Sequence, residues 1–179
     1  MPSSKTSATR TSSPVAKKAA ASSKSGQTDA LTLLSNDHQE VDKLFKAYEK
    51  LVKADAEGDE RLEIAQQICE MLSAHAEIEE EIFYPALRDA LDADDLLDEA
   101  EVEHATVKDL VGQIESMDPE DDLYDAKVTV LGEYVTHHVQ EEENEIFPKA
   151  RKAKLDLVQL GTELQARKDE LMGESQLEG

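Results

Sequence analysis

From about residue 29 onward, apolar side chains recur at alternating steps of three and four, which draws one stripe along the face of a helix. The first stripe runs from Asp29, a candidate cap, to about Ala56 and reads Leu31, Leu34, His38, Val41, Phe45, Tyr48, Val52. Glu57-Gly58-Asp59 predicts the turn that follows. The second stripe reads Ile64, Ile68, Met71, His75, Ile78, Glu79, Ile82, reaching about Ala90, with Pro85 expected to bend or break the helix. The third starts near Asp94 with Leu97, Ala100, His104, Val107, Val111, Ile114, and ends in a turn from Ser116 to Glu120. The fourth carries Val128, Leu131, Val135, His138, Glu142, Ile146 and meets Pro148. A fifth stretch, about Leu155 to Met172, has Leu157, Leu160, Leu164 and Leu171 and is expected on the outside. Short connections make neighbouring helices antiparallel. The expected fold is therefore all-α: an up-down-up-down four-helix bundle over residues 29–152. A short C-terminal helix and tail would occupy 153–179, and a disordered basic tail 1–28.

Four of these stripes hold a histidine where a core leucine belongs: His38, His75, His104 and His138. Two carry a glutamate one turn on, as His75-x-x-x-Glu79 and His138-x-x-x-Glu142, and residues at i and i+4 share a face. The chain repeats this arrangement. Asp37-His38-x-x-Val41-x-x-Leu44 matches Glu103-His104-x-x-Val107-x-x-Leu110, and each His-x-x-x-Glu is followed by a proline, Pro85 or Pro148. One helix hairpin used twice predicts a pseudo-two-fold site between the halves. Counting from the turns places His38, His75 and Glu79 on one level, with His104, His138 and Glu142 offset by about one to two helical turns. A lone histidine on an apolar face is usually a satisfied core residue. Four imidazoles and two carboxylates in one core are costly without a partner, and a bound metal pair removes that cost.

Composition narrows the setting. The 179 residues are 39% hydrophobic and only 4% aromatic, enough for one domain with a modest core. Net charge is −22, but residues 1–28 hold five basic side chains and no acid, so all 41 acidic residues belong to the body. An acidic body argues against direct nucleic-acid contact by the domain, whereas the tail leaves weak nucleic-acid contact open. No apolar run approaches the roughly 18–20 residues of a membrane span, and no secretory apolar core opens the chain, so the expectation is no membrane and a cytoplasmic location. The single cysteine, Cys69, lies six residues before His75, off the ligand face, and reads as a packed or idle thiol.

Imidazole nitrogen and carboxylate oxygen suit iron, manganese or zinc, and six ligands are too many for one catalytic zinc. They fit two metals, each with two histidines, bridged by Glu79 and Glu142, with about two open positions per metal. The order is the reverse of the Glu-x-x-His found in ferritin-like di-iron bundles. His38, His75-x-x-x-Glu79, His104 and His138-x-x-x-Glu142, with Phe83-Tyr84-Pro85 and Ile146-Phe147-Pro148 closing the second and fourth helices, resemble the hemerythrin-like (HHE cation-binding) family over about residues 30–150. The resemblance implies a four-helix bundle holding two non-haem, oxo- or hydroxo-bridged iron ions on those six residues.

The resemblance also implies a departure. Oxygen-carrying hemerythrins draw a second histidine from the third helix, and the position one turn after His104 is Lys108. A four-histidine site leaves the irons more open. The expected function is binding or sensing of dioxygen or a related small oxidant, with dioxygen, peroxide or nitric oxide as ligand and no required protein partner. Two alternatives remain: a di-iron enzyme that consumes peroxide or nitric oxide or oxidises ferrous iron, and a non-catalytic cation-binding scaffold. Of the neighbouring residues, His137 lies about 100° around the helix from His138 and reads as surface or supporting. Asp42, one turn after His38, reads equally as a surface acid or as a residue that orients that imidazole or adds a carboxylate ligand. Glu80, Glu81, Glu141 and Glu143 read as solvated charge or a path for cations, and Tyr48 and Tyr84 as core packing.

Overall fold

The computed structural model describes residues 28–91 and 94–178. The tail expected over 1–28 lies, apart from Thr28, outside the described residues, as does part of the second turn, at 92 and 93. Every described element is helical. Helix α1 spans Ala30–Lys53 and α2 spans Gly58–Ile78, which runs through a π-helical turn, Glu79–Phe83, into α3, Tyr84–Ala90. Helix α4 is Asp94–Glu115. Helix α5, Tyr124–Glu141, runs through a second π turn, Glu142–Ile146, into α6, Phe147–Lys152, and α7 is Leu157–Glu178.

Local chemistry sets these limits. The Asp29 carboxylate caps α1, accepting from the Thr32 N–H at 3.0 Å. The first turn falls earlier than Gly58. Helix α1 closes with Asp55 in the left-handed region (φ 54°), the Asp55 N–H bonding the Val52 carbonyl and the Ala56 N–H the Leu51 carbonyl. That is a Schellman closure with aspartate in the place glycine usually takes. Gly58 instead opens α2.

The prolines do not break their helices. A π turn adds a residue to one turn, making room for the proline ring and absorbing its missing N–H. The Tyr84 N–H reaches back to the Glu79 carbonyl and the Phe147 N–H to the Glu142 carbonyl. Each π turn thus begins at one of the paired glutamates.

Helices α1, α2, α4 and α5 close the four-helix ring, with neighbours α1·α2, α2·α4, α4·α5 and α5·α1. Helix α7 lies outside, against α1 and α2, burying Leu160 and Leu164. The apolar stripes form two clusters. One gathers Leu31, Leu34, Ile78, Phe83, Leu97 and Phe147 near α3 and α6. The other gathers Val41, Ile68, Leu72, Val107, Val111 and Leu131 toward the opposite end. Val52, at the end of the first stripe, is exposed. Along each helix the stripe histidine falls between the two clusters, so the imidazoles form a polar layer sealed by apolar side chains on both sides. None of the described helices is long and apolar enough to cross a membrane.

A buried histidine and glutamate cluster

His38, His75, Glu79, His104, His138 and Glu142 are all buried and meet in one layer. The offset of about one to two turns that counting along the sequence leaves for His104, His138 and Glu142 is absent. Two sets of donor atoms form, each set lying within 4.8 Å: His38, His75, Glu79 and Glu142 in one, Glu79, His104 and His138 in the other. Glu79 belongs to both. Its Oε2 stands 3.3 Å from His75 Nε2 and 3.4 Å from His104 Nε2. Glu142 Oε2 stands 3.2 Å from His38 Nε2.

Each imidazole turns its other nitrogen outward to a carboxylate. His38 Nδ1–H donates to Glu143 Oε1 (2.9 Å), His104 Nδ1–H to Glu80 Oε1 (3.1 Å), and His138 Nδ1–H to Glu103 Oε2 (2.8 Å). His75 Nδ1–H points to Asp37 Oδ2 at a longer 3.4 Å. The pattern follows the internal repeat. The acid before the first histidine of each half, Asp37 or Glu103, holds the second histidine of its own half. The acid after each paired glutamate, Glu80 or Glu143, holds a histidine of the other half. Carboxylates only accept, so the protons sit on Nδ1 and the Nε2 lone pairs face inward. Lysines anchor two of these acids: Lys168 Nζ lies 2.6 Å from Asp37 Oδ1, and Lys108 Nζ 2.6 Å from Glu80 Oε2.

Inside this frame the donors lack acceptable partners. His38 Nε2 and His75 Nε2 are 3.2 Å apart, and His104 Nε2 and His138 Nε2 are 3.0 Å apart. With both Nδ1 atoms protonated, those contacts set lone pair against lone pair. Glu79 Oε1 and both Glu142 oxygens are buried without a hydrogen-bond partner. Unpartnered buried acceptors are costly, and a cation is what they have in common. The donor set therefore fits a metal. Protonation tells the same story. Burial, reinforced by the Glu142 charge, pushes the Glu79 carboxyl well up. Burial drives His75 down, and burial with the nearby His138 takes His104 down to about 3, so both are neutral bases suited to coordination.

Residues 29–150 match the family described as Hemerythrin HHE cation binding domain. The chain belongs to the hemerythrin HHE cation-binding family. A crystal structure of a hemerythrin HHE cation-binding-domain protein, the Rv2633c homolog from Mycobacterium kansasii, superposes with a TM-score of 0.70, covering 84% of this chain and 91% of that one at 22% identity. The HHE fold is thus shared although most positions differ. A curated relative, a DNA nickase from Nostoc sp., is 31% identical over 118 residues, which cover 64% of this chain and 31% of that protein. The chain therefore aligns with under a third of that relative. His38, His75, Glu79, His104, His138 and Glu142 lie within the matched segment, in buried groups able to hold metal.

Several supporting residues are illegible in the apolar stripes. Glu80 and Glu143, read as solvated charge, hold His104 and His38. Asp42, which the sequence leaves open between supporting His38 and lying at the surface, is exposed and pairs with Lys46. Lys108, one turn after His104, acts through Glu80. The aromatic before each proline stacks on a histidine: Phe147 on His38 (5.9 Å, 11°) and Tyr84 on His104 (5.6 Å, 28°). Tyr84 is more than packing. Its hydroxyl is 3.5 Å from both Glu79 Oε2 and His104 Nε2. Cys69 is buried away from the cluster, its thiol pushed up to about 12 by burial.

On the side away from the glutamates, the four imidazoles line a cavity of about 20 Å³ with Leu72, Val107 and Val135. A surface groove of about 600 Å³ between α1 and α5 shares His38, Val41, Val135 and Val139 with that cavity. These four side chains separate the cavity from solvent.

Proposed function

We propose that this chain binds two iron ions, one on His38, His75 and Glu142 and one on His104 and His138, with Glu79 between them, and that it uses them to bind or sense dioxygen or a related small oxidant. The observation that carries the reading is the sharing of Glu79 between two histidine pairs whose Nε2 lone pairs converge. Bound iron would supply a redox-active Lewis acid with positions left open by a ligand set of this size.

The chain's own groups do the rest. Asp37, Glu80, Glu103 and Glu143 hold the imidazoles in one tautomer and orientation. The cavity of about 20 Å³ beside the imidazoles limits a ligand to one or two heavy atoms, and its apolar lining keeps bulk water sparse. Burial keeps the Tyr84 phenol protonated, so it offers the site one hydrogen-bond donor beside Glu79. The groove between α1 and α5 is the approach, with Val41, Val135 and Val139 as its inner wall. The same positions on bound iron would also suit turnover of peroxide or nitric oxide. The nickase function named for the Nostoc relative is not carried over, because the shared segment is a minor part of that protein and an acidic body repels a phosphate backbone.

The test is metal content and ultraviolet–visible absorption of the purified protein, before and after exposure to oxygen, alongside Glu79→Ala. Two irons per chain and the charge-transfer absorption of a bridged ferric pair are expected, with at least one iron lost in Glu79→Ala. No iron after anaerobic ferrous reconstitution would sink the reading. A spectral change that reverses on removing oxygen identifies a binder, and loss of peroxide or nitric oxide in excess of protein identifies an enzyme.

A further inference from the structure

The pseudo-two-fold of the cluster fails at one place. Asp37 and Glu103 are equivalent acids, each spending one oxygen on a histidine of its own half. The second oxygen of Asp37 is neutralised by Lys168, which reaches in from α7 where that helix lies on α1 and α2. The second oxygen of Glu103 meets no lysine or arginine among the described residues. It faces His137 Nε2 at 3.6 Å, and that same nitrogen lies 3.3 Å from Glu141 Oε1.

His137-x-x-x-Glu141 repeats the ligand spacing of His138-x-x-x-Glu142 one residue earlier, on the adjoining face of the helix. The matching positions of the first half are Ala74 and Ile78, so only the second half can build this group. Ligand atoms of His137, Glu103 and Glu141 all lie within 4.8 Å of one another. His137 is well exposed and Glu103 half-buried, so the group opens to water on one side and touches the cluster on the other. Beneath it lies a void of about 10 Å³, lined by Glu103, Glu141, His138 and Glu142. Glu142 borders that void with two fully buried oxygens that have no hydrogen-bond partner. A continuous run of imidazole and carboxylate donors thus leads from solvent to the buried layer.

We propose that His137, Glu103 and Glu141 form a third, solvent-facing site for a divalent transition cation, which captures ions bound for the buried cluster. One imidazole and two carboxylates suit ferrous, manganous or zinc ions, and open positions on the solvent side favour rapid exchange. Two carboxylates close together, with no lysine between them, favour a bound cation at the point where Lys168 supplies the positive charge in the other half. The capture role rests on the buried cluster holding metal; the outer site itself does not.

The experiment titrates metal-free full-length protein with zinc and follows filling of the buried cluster from limiting ferrous iron, in the wild type, His137→Ala and Glu141→Gln. Both substituted side chains lie at the surface, and thermal melting checks that the fold is kept. The expected result is two tightly held ions and one weaker one in the wild type. Both variants should lose the weaker ion, keep the tight pair, and fill that pair several-fold more slowly. A weaker ion retained in both variants, or absent from the wild type, overturns the site. An unchanged filling rate after its loss overturns the capture role. Loss of the tight pair in the wild type, with a weak ion still dependent on His137, would instead count against the buried metal centre.

Discussion

Each cluster imidazole is held from both ends, an outer carboxylate on Nδ1 and the shared interior on Nε2, and the two ends were not equally legible. Placing His38, His75, His104 and His138 needed only the period of the apolar stripe, because a histidine in a leucine position is conspicuous. Their outer partners needed a direction that sequence does not give. Glu80 and Glu143 sit inside the acidic runs Glu79-Glu80-Glu81 and Glu141-Glu142-Glu143, where every member looks equally solvated. The usable signal was the repeat itself, since each paired glutamate is followed by another and each first histidine is preceded by an acid. Asp42, one turn from His38, reads equally as a partner or a surface acid, and at i+4 it points to water. Supporting carboxylates are expected to matter by about 10–100-fold in metal affinity. Glu80→Ala and Glu143→Ala should each weaken metal retention by about that factor in a chelator competition, while Asp42→Ala should leave it unchanged. Equal behaviour of all three would mean that the outer hydrogen bonds do not tune the site.

At the scale of elements, the five helices and their order follow from the stripes, and the misplaced details trace to backbone chemistry. Gly58 looked like the turn residue, yet an aspartate can take the left-handed conformation through its short polar side chain, and Asp55 does. Pro85 and Pro148 looked like breaks, yet a π turn accommodates each and starts at the paired glutamate, so the proline offset marks where the helix widens. The docking of α7 was expected from its leucines, but its closeness was not. A Cβ on Gly161 would collide with the Thr28 carbonyl oxygen and stand 2.7 Å from the Ala30 nitrogen, both backbone atoms that cannot swing aside. Gly161→Ala should therefore destabilise by about 1–3 kcal/mol. Gly112, in the last turn of α4, has nothing within 4 Å of its Cβ position, so Gly112→Ala should raise stability by a fraction of the ~1 kcal/mol that helix propensity gives in an interior. Thermal melts of the two variants should move in opposite directions. A neutral Gly161→Ala would mean that α7 is not seated against the start of α1.

The whole molecule is two apolar clusters with a polar layer between them, and that arrangement sets how it should answer to metal removal. The clusters, around Phe83 and Phe147 at one end and Ile68 and Leu131 at the other, need no ion to bury their side chains. Chelated protein should keep its far-ultraviolet helical signal. It should melt at a lower temperature, because the layer then holds facing imidazole lone pairs and unpartnered carboxylate oxygens. A ligand present at about a thousand times its dissociation constant adds about 4 kcal/mol to folding. The direction with pH follows from Glu79. Its carboxyl is raised, so the metal-free fold keeps a proton there that a cation must displace, and the metal-bound fold carries fewer protons. Stabilisation by metal must then grow as pH rises and shrink as pH falls. Melting curves with and without metal, taken at several pH values, should converge toward acid. A gap that stays constant or widens on acidification would show that cation binding does not draw on the Glu79 carboxylate, and a chain that unfolds on chelation would show that the two clusters cannot stand without the layer between them.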